Sequence, residues 1–246
     1  MSPVALVTGG SGDIGRAICA DLAGQGYDIA FTFFRDKEAA EETAEAVSKL
    51  GRKAAILRAH LGEAGTATKI VDETVSQLGG IDAIISNAAS GVIKPATELE
   101  PKHFDWTMGI NARSLLELAK AARPHLSEGA GIVAISSLGS ERVLPGYAAV
   151  GASKAALEAL VRYLGVELAP AGIRVNAVSA GVVDTGALEH FPMRDEMLRS
   201  AKEDTPAGRM VTPEDVAKAV RWLLSEDSWM VRGHTLVVDG GYSLPA

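Results

Sequence analysis

Val4-Ala5-Leu6-Val7-Thr8-Gly9-Gly10-Ser11-Gly12-Asp13-Ile14-Gly15 decides how the rest of the chain is read. Its first four residues are apolar without alternation, as in a strand covered on both faces. Glycines then crowd the turn, and a helical pattern over 14–23 follows, with Ile14, Ile18 and Leu22 on one face. Strand, glycine turn and helix in that order aim free backbone N–H groups and the positive end of a helix at one point. Glycines there let the backbone come close to a pyrophosphate. Gly9, Ser11, Gly12, Asp13 and Ile14 are therefore candidate cofactor contacts. A merely tight turn is the plain alternative.

Working outward, short apolar runs keep alternating with longer helical patterns. Strands are expected at Val4–Val7, Asp28–Phe33, 54–59, 81–86, 132–136, 174–179 and Thr235–Val238. Helices are expected over 14–23, 37–50, 66–77, 104–126 and 150–169, with another starting near Pro213. Such alternation predicts an α/β fold: one doubly wound sheet of seven parallel strands with helices on both faces. No linker, repeat or charge block divides residues 1–246, so one domain is expected. The least regular stretch, 186–206, follows a strand's C-terminal end. It is either a lid over a site or a surface helix pair.

Composition narrows the class. The chain has 246 residues, 47% of them hydrophobic, enough for one full-sized core. No apolar run reaches membrane-spanning length, and the N-terminus enters a strand without a basic leader. A cytoplasmic protein without membrane attachment is expected. The net charge of -7 argues against general nucleic-acid binding. The single cysteine, Cys19, lies in the apolar pattern of the first helix and reads as a core thiol. The five histidines are scattered without metal-ligand spacing, so no metal is expected.

The end of the second strand reports on the cofactor. A carboxylate there would bind the free ribose hydroxyls of NADH. The strand ends Thr32-Phe33-Phe34-Arg35-Asp36-Lys37, with apolar Phe33 near the expected acidic position. Arg35 and Lys37 suit a 2′-phosphate, which favours NADPH. Asp36 leaves NADH as the alternative. The fourth strand ends in Ser86-Asn87-Ala88-Ala89, where small residues permit close contact with a ribose. Asn87 can bond backbone groups and hold neighbouring strand ends.

Taken together, the glycine turn, Asn87-Ala88-Ala89, Asn111, Ser136-Ser137, Tyr147 with Lys154, and Val237-Val238-Asp239-Gly240-Gly241 resemble the short-chain dehydrogenase/reductase family almost end to end. The resemblance implies a Rossmann-type fold, often assembled as a homotetramer. It implies catalytic roles for Tyr147, Lys154, Ser137 and Asn111. Asn111 either supports a water chain to Lys154 or braces its helix. The resemblance adds cofactor contacts at His60, Leu61, Gly181, Val183 and Thr185, and at Tyr147 and Lys154 themselves. Several positions depart from the family pattern. Asp13 stands at the usual second glycine, His60 at a frequent aspartate, and Ala180 at a usual proline.

The tyrosine departs most. Most family members place it four residues before the lysine, where this chain has Val150. Tyr147 precedes Lys154 by seven residues. At about 100° per residue both spacings face the lysine, but they differ by about 4.5 Å along a helix axis. The wider spacing, with Ser90-Gly91-Val92, Asp105-Trp106-Thr107-Met108, Ser136-Ser137-Leu138-Gly139-Ser140, the 150–160 stretch and Thr205-Pro206-Ala207-Gly208-Arg209-Met210-Val211, is similar to the NADPH-using bacterial enoyl-[acyl-carrier-protein] reductases III. That implies reduction of trans-2-enoyl thioesters on acyl carrier protein in fatty-acid elongation. The acidic carrier would meet basic side chains at the mouth, for which Arg142, Arg194, Arg199 and Lys202 are candidates. The rivals are a 3-oxoacyl or other ketone reductase and a non-catalytic NADP-binding sensor. Ser137 keeps one element of a ketone-reductase site beside an enoyl-type tyrosine.

Overall fold

The computed structural model describes residues 2–191 and 193–245. Among them, seven strands form one parallel sheet: β1 (Val4–Val7), β2 (Asp28–Phe33), β3 (Ala54–Arg58), β4 (Ala83–Ser86), β5 (Gly131–Ser137), β6 (Arg174–Ala180) and β7 (Thr235–Val238). Their order is β3-β2-β1-β4-β5-β6-β7. The chain winds outward from β1 to β3, then crosses back to lay β4 against β1. Such a reversal opens a crevice at the strands' C-terminal ends.

Alternation within the strands distributes the core. Leu6, Ile84 and Ile132 join one cluster with Ile70, Leu115, Leu118, Leu157 and Val161. These helix residues come from α3 (Thr66–Leu78), α5 (Ser114–Ala122) and α6 (Ala148–Glu167). The neighbouring Val7, Ile85 and Val133 point the other way, toward Ile18, Leu22, Val47, Val216 and Val220. Those belong to α1 (Asp13–Gly24), α2 (Lys37–Lys49) and α8 (Pro213–Leu224). A period of two thus feeds both faces, which keeps the central strands β1, β4 and β5 largely apolar. Cys19 is buried in the second cluster, and burial pushes its thiol far up.

Two helices differ from the sequence expectation in ways that shape the site. The single helix expected over 104–126 is broken into α4 (Pro101–Met108), a π-helical turn (Gly109–Arg113), α5 and a 3-10 turn (Arg123–His125). Asn111 sits in the π turn, fully committed to tertiary bonds described below. Side-chain periodicity alone does not report a one-turn widening of this kind. The helix expected to begin at 150 begins at Ala148, with Tyr147 at its N-cap position. Tyr147 is therefore not inside the helix, as a phase argument along one axis assumes. The stretch 186–206 contains a 3-10 turn (Gly186–His190) and α7 (Arg194–Glu203); residue 192 lies outside the described residues. Among the described residues no helix is long and apolar enough to cross a membrane.

Candidate active site

A cleft of about 600 Å³ runs along the C-terminal ends of β1 to β5. Its floor is the glycine turn. Gly9 has φ +68°, a conformation in which a side chain is strained. A Cβ on Gly15 would stand 2.1 Å from the Gly9 carbonyl oxygen, so only glycine lets α1 start this close to β1. Gly12, by contrast, meets nothing nearer than that oxygen at 3.6 Å and leaves the helix N-terminus open. Asn87 ties the floor together: its Nδ2 donates to the carbonyls of Thr8 (2.9 Å) and Gly9 (3.2 Å). The backbone N–H groups of Asn87 and Ala88 donate to Thr8 Oγ1. This is the bracing role expected of Asn87.

Asp13, the departure from the glycine pattern, has a partner. Its Oδ2 accepts from the Gly186 backbone N–H at 2.9 Å. The carboxylate thus ties the start of α1 to the start of the 186–190 turn. No sequence signal joins positions so far apart.

The β2 end separates three charges that look equivalent in sequence. Asp36 caps α2, its Oδ1 accepting from the Ala39 N–H at 2.9 Å, an interaction worth about 1 kcal/mol. Lys37 pairs with Glu41 at 3.0 Å on the exposed helix surface. Arg35 lines the cleft with neither an ion pair nor a side-chain hydrogen bond among the described residues, its guanidinium over the Phe34 ring at 5.3 Å. That contact is worth about 0.5–1 kcal/mol at an exposed site, less than a charge-assisted bond to phosphate. His60 also packs against Phe34, ring centroids 4.6 Å apart. An open helix N-terminus at one point and a free arginine at the β2 end fit a dinucleotide carrying a ribose 2′-phosphate.

At the far end of the cleft stand Ser137, Tyr147 and Lys154. Lys154 Nζ donates to the Ile135 carbonyl at 2.7 Å. Tyr147 Oη donates to Ser137 Oγ at 3.4 Å, and Ser137 also accepts from the Gly139 N–H. The Tyr147 ring faces Phe191 at 5.7 Å. Val150 is buried and does not line the cleft. A phenol is thus presented from the position three residues before the family's usual one.

A family model described as "Enoyl-(Acyl carrier protein) reductase" matches residues 10–243. A 1-cyclohexenylcarbonyl-CoA reductase from Streptomyces collinus is 36% identical over 99% of this chain and 88% of its own length. A probable tetrahydroxynaphthalene reductase from Zymoseptoria tritici is 33% identical over 96% of this chain and 93% of its own. A short-chain dehydrogenase from Burkholderia cenocepacia, solved in complex with NADP, superposes with a TM-score of 0.90 at 32% identity, covering 98% of this chain and 97% of that one. The chain belongs to the short-chain dehydrogenase/reductase family.

Within this family of oxidoreductases the chain's own geometry shows where the other expected residues sit. Gly181 and Val183 do not line the cleft. Gly181 N–H donates to the Val238 carbonyl, and a Cβ there would meet Asp239 at 3.0 Å; Val183 pairs with Val211. Gly181 thus ties the loop after β6 to β7, and Val183 ties it to the segment before α8, while Thr185, His60 and Leu61 line the cleft. Asn111 makes no bond to Lys154. Its Oδ1 accepts from the Ser90 N–H (2.8 Å), and its Nδ2 donates to the Ser90 carbonyl (2.9 Å) and to Ser153 Oγ (2.9 Å). These bonds tie the π turn to the loop after β4 and to α6. Lys154 does not bond Tyr147 either. Burial, opposed by the Ser137 contact, raises the Tyr147 phenol above its ordinary value, where a lowering by Lys154 was expected. Burial, opposed by the Glu158 charge, brings Lys154 down to about 8.

Sequence reasoning missed four contributors. Trp106, Ile110 and Ala187 line the cleft, Ile110 beside Gly62 on its β3 side, and Ser136 donates to Glu158 Oε1 at 2.5 Å. Trp106 and Ala187 come from segments joined to the site only by packing. Glu158 carried a legible signal: it stands one helical turn after Lys154 in an otherwise apolar pattern.

Proposed function

We propose that this chain reduces the trans-2 double bond of enoyl thioesters with NADPH, on acyl carrier protein in fatty-acid elongation. The observation that carries the reading is the placement of the cleft's phenol at Tyr147, with apolar Val150 buried behind it. Bound NADPH supplies the hydride that adds to C3 of the substrate. Negative charge then develops on the thioester oxygen, beyond C2 and C1. A carbonyl reduction instead needs its acid at the oxygen bonded to the hydride acceptor. A tyrosine offset from the usual position suits the longer separation.

Tyr147 donates a hydrogen bond, and finally a proton, toward that oxygen. Its phenol, raised by burial, stays protonated at neutral pH and serves as the acid. Lys154 offers its ammonium to the nicotinamide ribose, and Ser137 helps hold the substrate carbonyl. Arg35 binds the 2′-phosphate, and Gly9, Ser11, Gly12 and Ile14 bind the pyrophosphate. His60, Leu61, Ala88, Ala89 and Thr185 complete the walls around the cofactor. The 186–206 stretch acts as the lid, with Phe191 against Tyr147 and Arg194 held by Asp184 at 2.9 Å.

The Streptomyces collinus relative supports the reading, since its name describes a conjugated thioester reduced as its CoA derivative. The acidic carrier is the proposed partner, met by Arg199 and Lys202, which are exposed and make no ion pair among the described residues. Assembly as a homotetramer fits the exposed apolar side chains Tyr163 and Val166 on α6 and Val237 on edge strand β7, and light scattering after size exclusion tests it.

Ketone reduction is the second reading, favoured by the Ser137–Tyr147 contact and by the naphthalene-type relative. NADPH oxidation with 2-enoyl thioesters on carrier protein and on CoA, beside acetoacetyl thioesters, separates the two. Turnover of the enoyl compounds is expected. Oxidation with the ketone alone would reverse the assignment, and enoyl turnover only on CoA would remove the carrier protein.

A further inference from the structure

Glu158 is a buried carboxylate that the mechanism above does not use. It lies four residues after Lys154 on α6, so the two side chains emerge one turn apart on the same face. Both reach β5, and they grip adjacent residues of it. Lys154 Nζ donates to the Ile135 carbonyl at 2.7 Å, and Glu158 Oε1 accepts from Ser136 Oγ at 2.5 Å. The next residue of β5 is Ser137, which meets Tyr147. One helix therefore clamps the strand end that carries the substrate-side hydroxyl, using a lysine and a glutamate one turn apart.

An ammonium buried as deeply as Lys154 loses its hydration and is driven toward the neutral amine. A carboxylate one turn away in the same low-dielectric interior works against that loss. Other elements packed on α6 carry charges too. They include Lys102, His103 and Asp105 on α4, Arg113 on the π turn, Glu117 and Lys120 on α5, and Arg174 on β6. Asp13, Arg35, Asp36 and His60 line the cleft on its β1–β3 side. Tyr147 is the other titratable group at the catalytic end. Of all these, Glu158 is the one that shares the face of Lys154 on α6, one turn away.

We infer that Glu158 is a positioning residue that keeps Lys154 charged and, through Ser136, fixes the β5 end beside Tyr147. This inference rests on Lys154 as the cofactor-binding lysine and is independent of which substrate is reduced.

The test is a lysine-selective NMR titration of the ligand-free protein, with the Lys154 signal assigned by its loss in Lys154→Arg. Wild-type Lys154 should titrate near 8. Glu158→Gln keeps the shape and the acceptor for Ser136 but removes the charge, and should lower that midpoint by about one pH unit. NADPH binding followed by fluorescence should then weaken at a correspondingly lower pH, while the two proteins bind NADPH alike at pH 6. Ser136→Ala, which keeps the charge, should leave the lysine midpoint nearly in place. An unchanged midpoint in Glu158→Gln overturns the inference, as does an equal shift in Ser136→Ala. Carboxylate NMR of the wild-type protein gives a check that needs no variant: Glu158 found protonated at pH 7 also overturns it. Failure of wild-type protein to bind NADPH would instead remove the cofactor reading and leave the lysine titration to be judged by itself.

Discussion

Tyr147 Oη and Ser137 Oγ meet at 3.4 Å across the catalytic end of the cleft, beyond the usual range for an O–H···O bond. The phenol is therefore weakly held and can turn to a substrate oxygen at small cost. Tyr147→Phe should lower kcat by about 10²–10³-fold, the scale for losing one donor to a developing oxyanion. NADPH affinity should stay within about twofold, because the phenyl ring remains in place. Steady-state kinetics beside fluorescence titration measures both. Unchanged turnover would take Tyr147 out of the mechanism.

Val150 cannot simply be exchanged for the family's usual tyrosine. A Cβ on Gly91 would already lie 2.2 Å from Val150 Cγ2, so this side chain fills the space against the loop after β4. Val150→Tyr should destabilise the fold by overpacking, by about 1–3 kcal/mol. That corresponds to a fall of about 2–10 °C in Tm for a chain of this size. A thermal melt with an undiminished Tm would mean that the loop yields freely, and the position would then be open to a ketone-reductase tyrosine.

Lys154 gives the site a pH dependence whose sign can be worked out. Its folded value of about 8 lies below the ordinary 10.5, with burial the larger cause and Glu158 opposing. Activity that needs the ammonium should fall as pH rises through about 8. The Tyr147 phenol is raised above 10 and contributes no limb in that range. kcat/KM, which reports the free enzyme, is the quantity to follow. In Lys154→Arg the alkaline limb should disappear, since a guanidinium keeps its proton. A wild-type profile flat to about pH 10 would refute the assignment. For stability the sign is the opposite. Between about 8 and 10.5 the unfolded chain holds more protons at this lysine, so its contribution to stability rises with pH across that window.

Arg35 should set the choice of cofactor. Its two neighbours are occupied, Asp36 in the helix cap and Lys37 with Glu41. Arg35→Ala should weaken NADPH binding by about 10–100-fold, on the scale of one charge-assisted contact. NADH binding should change little. Equal losses for both cofactors would place Arg35 away from the 2′-phosphate.

Much of this was legible in the residues themselves. The seven strands, the two helix layers and the glycine turn follow from local pattern, since a strand buried on both faces reads as a near-continuous apolar run. The spacing of Tyr147, Val150 and Lys154 is equally a property of sequence, and so is the cluster of charges after β2. Tertiary structure decided how those side chains are used. It turned Asp36 into a cap, left Arg35 free, and bound Asp13 to Gly186 across the chain. It placed Tyr147 at the start of α6 rather than within it, and directed Lys154 to Ile135. Asn111 was committed to Ser90 and Ser153 by a π turn that no periodicity reports. The physical reason is one of range. Element type depends on neighbours within a few residues. A polar side chain's partner depends on which strand ends and loops the sheet order brings within hydrogen-bond distance.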